Sequence, residues 1–257
     1  MLTIPTVELT DADSLLTYLS ESESQGFHWF RGHESSKWKL QPALLRSDVQ
    51  RNETNLLKSF WQRASGLSGA APSTDASAWI SIAQHHGLET RVLDWSESFL
   101  VALYFALDRP QSTDTSRSAA DMIDACIWLL NPVALNAMVV CDTNGVLSET
   151  EDLVLLTHRS AVYGVDFPGL SRPSYFAYQP RYLHERMVVQ KSAFTWHNCK
   201  LPLEEHACAA HFLRGVRIAA KNKGALRRYL SILGVSDSSV FPDFAGVASE
   251  MVKRASR

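Results

Sequence analysis

The sequence predicts an α+β fold, and three observations predict it. Apolar residues recur at helical spacing in several separate stretches. Short aromatic or aliphatic runs lie between those stretches and have the composition of strands. The two kinds of segment do not alternate regularly, which argues against a wound βαβ sheet. With 257 residues, 46% of them hydrophobic, the chain can bury a sizeable core and fits one large domain or a domain with an appendage. We expect a helical extension over residues 1–24 and the main domain over 25–257.

The elements follow in order. Leu15, Leu16 and Leu19 stand at helical spacing behind two capping residues, Thr10 and Asp11. Residues 26–31 are dense in aromatics, so a strand is expected with Arg31 at its end. Gly32 then allows a turn or a close approach. A helix is expected over 55–67, with Leu56, Leu57, Phe60 and Trp61 on one side, and a loop over 68–74. Residues 79–86 end an amphipathic helix that Gly87 stops. Residues 88–97 are expected to form a loop. Ser96 or Ser98 caps the next helix, 99–107, which is apolar on nearly all sides and should be buried.

Residues 108–124 are rich in Ser, Thr and Asp and have no period, so a surface connection is expected. A strand over 125–130 precedes a helix with Pro132 at its first position. Further on we expect a helix over 149–158, extended chain over 176–180, and a buried strand at Met187, Val188 and Val189 leading to Gln190. A strand over 212–219, a helix over 225–233 ended by Gly234, and a C-terminal helix close the chain.

Composition excludes several classes. No run approaches the roughly 20 apolar residues of a membrane span. The N-terminus has neither a basic head nor an apolar signal core, so a cytoplasmic protein with no membrane partner is expected. Cys126, Cys141, Cys199 and Cys208 are far apart and form no CxxC pair, which points away from zinc or a disulfide scaffold. There is no GxGxxG, P-loop, GxSxG or HExxH. His85 and His86 are adjacent and diverge on a helix, a poor metal pair, so no metal is expected.

What remains is a constellation of polar residues at the rim of a core. Residues 88–97 carry Glu89, Thr90, Arg91, Asp94, Trp95 and Ser96 between two anchored helices. Groups held in that way can form a site, or Arg91 and Asp94 can pair to brace the segment. Arg214, Arg217, Lys221, Lys223, Arg227 and Arg228 occur with no acid over residues 212–233. That run can contact phosphates, or it can be a solvated face. The net charge of −2 gives no bulk attraction to nucleic acid.

Three segments together, with a closing tripeptide that also fits, resemble the FRG-domain family, named for a Phe-Arg-Gly that is Phe30, Arg31 and Gly32 here. The central signature is similar over residues 83–87, then 90–96, then 101–106; Glu185, Arg186, Gln190 and Phe194 resemble a third element, and Phe241, Pro242 and Asp243 a closing one. Glu89 departs from a usual proline and Ser192 from a usual glycine. The motif order is in turn similar to that of ADP-ribosyltransferases, which split NAD. That resemblance implies a split or mixed central sheet surrounded by helices, with NAD as substrate. It implies that Arg31 grips the pyrophosphate or organises the site, and that the Gly32 backbone meets the nicotinamide amide beside His33. Thr90, Arg91 and Ser96 fall in the middle motif, Tyr104 stacks on nicotinamide, and Gln190 or Glu185 fills the catalytic corner.

A glutamine carries no charge and cannot serve as a base, so Asp94, Glu97 or Glu185 would take any proton. The implied role is a toxin or antiphage effector that modifies a macromolecule and could have an antitoxin protein as partner. The basic run (Arg214, Arg217, Lys221, Lys223) favours RNA over DNA, with protein next. Two alternatives stand beside it: a metal-dependent nuclease or hydrolase built on Glu89, Asp94 and Glu97, and a non-catalytic module that binds a nucleotide or partner.

Overall fold

The computed structural model describes residues 3–9, 12–46, 52–67, 75–107, 122–140, 145–164 and 173–255. It is an α+β fold around one mixed sheet. In chain order the elements are β1 (Thr6–Glu8), α1 (Ala12–Ser24), β2 (Trp29–His33), α2 (Ala43–Arg46), α3 (Glu53–Ala64), α4 (Ala76–His85), β3 (Val92–Ser96), α5 (Phe99–Leu107) and β4 (Ala125–Leu130). There follow α6 (Pro132–Val139), β5 (Leu147–Ser148), α7 (Asp152–Tyr163), β6 (Tyr175–Gln179), α8 (Glu185–Val189) and β7 (Ser192–His197). The last are α9 (Ala209–Phe212), β8 (Leu213–Ile218), α10 (Lys223–Ile232), α11 (Asp237–Val240) and α12 (Phe244–Ala255).

The strands lie in the order β1-β8-β4-β2-β3-β7-β6-β5. The two outer pairs, β1 with β8 and β5 with β6, are parallel and the inner pairs antiparallel. Residues 6–24, expected as an extension, add the edge strand β1 and the helix α1, whose Leu15, Tyr18 and Leu19 pack on the main core. Thr10 and Asp11 lie outside the described residues, as do residues 68–74 and all but the end of the 108–124 connection.

Helices cover one face of the sheet in two separate packs. Over β8, β4 and β2, α5 and α10 bury Ala102, Leu103, Ala106 and Leu230 against Phe30, Ile127, Leu129 and Val216. Over β3, β7 and β6, α3, α4 and α7 bury Leu57, Ile80, Ala83 and Val154 against Val92, Phe194, Trp196 and Phe176. The opposite face carries one core around Trp29, Leu93, Trp95, Leu135, Tyr175 and Phe212. In α5, Val101, Leu103 and Leu107 are each buried, worth ~1.5–3 kcal/mol apiece. Two asparagines cap helices: Asn52 accepts from the Asn55 amide at 3.0 Å and Asn131 from the Ala134 amide at 2.9 Å. Among the described residues, no helix is long and apolar enough to cross a membrane.

Two elements differ from expectation. Residues 88–97, expected as a loop, contain β3. Val92, Leu93 and Trp95 suit a pleated surface, and Asp94 is the one exposed position of the five. Residues 187–189, expected as a strand, belong to the short helix α8. An aliphatic run of three has no readable period, and only Met187 is buried, with Val188 54% and Val189 38% exposed.

Candidate functional site

The sheet comes apart at its middle. Strands β2 and β3 share a single register pair, Phe30 with Ser96, whereas β2 with β4 and β3 with β7 each share five. Diverging strands leave backbone groups without ladder partners. Arg31 supplies one: its Nη1 donates to the Asp94 carbonyl oxygen at 2.5 Å. The same nitrogen lies 3.9 Å from the Asp94 carboxylate. The Arg31 Nε donates to His33 Nε2 at 3.2 Å. Burial, with the Arg31 charge adding to it, pushes the His33 pKa down to about 3, so the ring is neutral and can accept that bond.

The gap opens as a cleft of about 320 Å³ between the two helix packs. Arg31, Gly32, His33, Asp94, Ser96 and Gln190 all line it. Three segments far apart in sequence therefore meet there. The Arg31 side chain is 23% exposed, held by its neighbours yet open to the cleft. Strand alternation turns Phe30 and Gly32 toward α5 and Arg31 and His33 to the other face, so the cleft passes through the sheet. Gly32 is set by packing: a Cβ there would lie 1.9 Å from the Ala102 carbonyl oxygen of α5.

Gln190 caps α8, and Lys191 beyond it has φ 46°, left-handed for a residue with a side chain. That turn aims Gln190 back at α11: its Nε2 donates to the Val240 carbonyl at 3.1 Å, and its main-chain oxygen accepts from Ser96 Oγ at 2.6 Å. The amide oxygen of Gln190 has no partner among the described residues. Ser192, in place of the usual glycine, simply begins β7.

Other expected site residues lie elsewhere. Arg91 does not pair with Asp94. Arg91 precedes β3 and bonds to Glu53 of α3 through both its amide and its Nε. Thr90 is buried, donating to Gln84 Oε1 at 3.2 Å and accepting from the Val92 amide at 3.3 Å. Tyr104 cannot stack in the cleft: it is 2% exposed and its hydroxyl donates to Asp237 at 2.7 Å, inside the helix pack. Phe105, its neighbour on α5, lines the cleft instead. Glu185 is exposed at the start of α8, and Glu97 is exposed beyond β3; neither lines the cleft.

The basic run is not one face. Arg214 lies over the Phe27 ring at 4.3 Å, Arg217 grips Asp124 with two nitrogens, and Lys223 is buried with its Nζ donating to the Glu34 carbonyl at 3.0 Å. Of the four, Lys221 stands exposed with no carboxylate partner among the described residues. A strand followed by a helix distributes such a run around the molecule instead of along one surface.

Sequence reasoning missed Trp38 and Arg46. Both line the cleft beside Arg31, and Trp38 is 37% exposed, an aromatic face next to two guanidinium groups. The signal was the Trp38-Lys39 pair soon after Arg31. Lys39 also lines the cleft but is held by Glu205 at 2.7 Å and Glu204 at 3.8 Å. Arg31 and Arg46 thus make the cationic end; burial, with the Arg46 charge adding to it, lowers the Arg31 pKa from its ordinary value.

Three buried histidines contribute to the response to acid. Burial holds His33, His158 and His197 each at about 3. Their unfolded values lie near 6.5, so below that pH the unfolded chain binds more protons than the folded one. Their contribution is whole above pH 6.5 and is lost as pH falls toward 3. We expect acid unfolding, followed by tryptophan fluorescence between pH 7 and pH 4, to steepen to about 4 kcal/mol per pH unit with three protons taken up.

Residues 27–115 match the family model described as FRG domain. No curated protein and no solved structure matches the chain.

Proposed function

We propose, from the match of residues 27–115 to the FRG-domain model, that the cleft binds NAD and transfers ADP-ribose to a macromolecule, in the manner of a toxin or antiphage effector. One observation carries the reading: Arg31, Asp94 and Gln190, from three distant segments, line one cleft with a cationic end. A guanidinium fork matches phosphate oxygens and stays charged, so Arg31 with Arg46 suits a diphosphate. Trp38 offers a face to a flat ring beside them.

Splitting the bond between ribose and nicotinamide sends its electron pair to the nicotinamide nitrogen, which becomes neutral. Positive charge builds on the sugar, as in glycoside cleavage. Asp94 is the carboxylate of the cleft, and it is the group of this chain that would stabilise that charge. Gln190, with its amide nitrogen tied to Val240, presents its oxygen to a ribose hydroxyl. The acceptor's lone pair then bonds to the sugar carbon, and its proton leaves to Asp94 or to water. RNA is the first acceptor to offer in the assay, then DNA and protein.

The test is release of free nicotinamide on incubation with NAD, with RNA, DNA or protein as acceptor. Wild-type protein is expected to release it, and Asp94→Asn to do so roughly a hundredfold more slowly. Expression of the wild-type chain, but not of Asp94→Asn, is expected to arrest growth of a bacterial host. No release with any acceptor would remove the transferase and leave a binding module.

A further inference from the structure

The helix α12 is turned inside out. Its side toward the fold is polar. Glu250 is buried and accepts from the Ser236 hydroxyl at 2.6 Å and from the Ser238 hydroxyl. Ser249 donates to the Asp237 carboxylate, and Lys253 donates to it at 2.8 Å. Gly246 allows the close approach, because a Cβ there would lie 2.0 Å from the Phe241 carbonyl oxygen. The side toward solvent is apolar: Phe244, Val247, Ala248, Met251, Val252 and Ala255 are all exposed, Phe244 at 96%. A surface helix ordinarily turns such a stripe to the core. Here the helix cannot roll to do so without stripping the buried Glu250 and Asp237 of their donors, which costs about 1–3 kcal/mol for each group left unsatisfied.

The spacing of the stripe says what fits it. Phe244, Ala248, Met251 and Ala255 follow at steps of four, three and four, the seam of paired helices. Their sizes alternate large, small, large, small. A second copy laid antiparallel sets Phe244 on Ala255, Ala248 on Met251 and Val247 beside Val252, so a large group meets a small one in each seam layer. A parallel copy would crowd Phe244 on Phe244 and leave a void at Ala248. The antiparallel order also brings Arg254 near the first turn of the other α12, where Asp243 keeps 39% of its side chain exposed, and it opposes the two helix dipoles. One two-fold axis lets the same patch serve both copies. The end of α10 widens the patch: Ser231 borders one small cavity with Glu250 and Arg254, and Ile232 beside it is 79% exposed. A membrane surface fits less well. It favours a helix with a row of basic residues, and among the described residues of α12 Arg254 is the exposed base.

We propose that the exposed stripe of α12 is a homodimer interface, formed by antiparallel pairing with α12 of a second copy of this chain. The pairing does not depend on what the cleft binds. A helix of this length covers less than the roughly 800 Å² per partner of a standard interface, so the dimer is weak, with a dissociation constant of about 10–100 μM.

The experiment is sedimentation velocity on the whole chain from about 1 to about 300 μM. The average mass is expected to rise from that of one chain toward that of two. Phe244→Ser and Met251→Lys, both at exposed positions, should weaken the dimer at least about tenfold, whereas Val188→Ser on α8 should leave it unchanged. Far-UV circular dichroism identifies any variant that fails to fold, and the second variant then carries the test. The direction of pairing is read from thiol crosslinking: a mixture of Val247→Cys and Val252→Cys chains is expected to give dimers holding one of each, above the background of the native cysteines. A chain that stays monomeric throughout, or a dimer that both folded variants keep, overturns the proposal. Crosslinking of either variant to itself in preference to the other overturns the antiparallel pairing. A monomer that instead binds vesicles of anionic phospholipid, and loses that binding in Phe244→Ser, makes the stripe a membrane face and also overturns it.

Discussion

Arg31→Ala is expected to reduce nicotinamide release by roughly 10²–10³-fold, the cost of removing one positioned donor from a reacting centre. The loss should be larger than for a surface arginine because this guanidinium has two tasks. It closes the gap between β2 and β3 through the Asp94 carbonyl, and it faces the cleft beside Arg46. Arg31→Lys separates the tasks. A lysine keeps the charge but cannot hold Asp94 and His33 with a planar fork while also meeting a diphosphate. We therefore expect Arg31→Lys to lose most of the activity and most of the affinity for ADP-ribose, measured by calorimetry, while the protein stays folded. An Arg31→Lys variant with wild-type affinity would show that the charge alone matters there and that the wedge has no part in binding.

Gly32→Ala is expected to be the most damaging single methyl in the molecule. The added Cβ would sit 1.9 Å from the Ala102 carbonyl oxygen, 2.7 Å from the Ala106 amide nitrogen and 2.9 Å from the Ala102 carbonyl carbon. All three are backbone atoms of α5, so no side chain can swing aside. Either the helix lifts from the sheet or β2 moves, and both are held by buried residues: Ala102 and Ala106 are fully buried, and Trp29 nearly so. Overpacking of this kind costs about 3 kcal/mol or more. At a few degrees per kcal/mol for a chain of this size, the midpoint of thermal unfolding should fall by about 10 °C. A change below about 2 °C in a thermal scan would show that α5 can slide on the sheet, and that the floor of the cleft is softer than its packing suggests.

These two residues also show how legible the site was. Arg31 and Gly32 stood out in the sequence, but the glycine was expected to meet a ligand, and its tight requirement comes from α5. The buried character of α5 followed from its composition alone, because nine residues without a charge leave no face for water. Tyr104 was misplaced for a related reason. On a helix buried all round, composition does not say which side meets the cleft, and the cleft side falls to Phe105. Arg91 and Asp94 looked like a pair because a loop can fold back on itself. In the structure Arg91, just before β3, is taken by Glu53 of α3, and Asp94 on the strand meets Arg31, sixty-three positions away, instead.

The sequence by itself determined the mixture of helices and strands, the buried helix, the glycine stops at Gly87 and Gly234, and the segments that supply the site. Each of those depends on residues within a turn or two of one another, where period, capping chemistry and backbone freedom act. Only the tertiary structure decided that β2 and β3 part after one register pair, that Trp38 and Arg46 stand with Arg31, and that the basic run is scattered. Strand order and side-chain facing depend on contacts between residues tens to hundreds of positions apart, and local pattern carries no information about which of those contacts form.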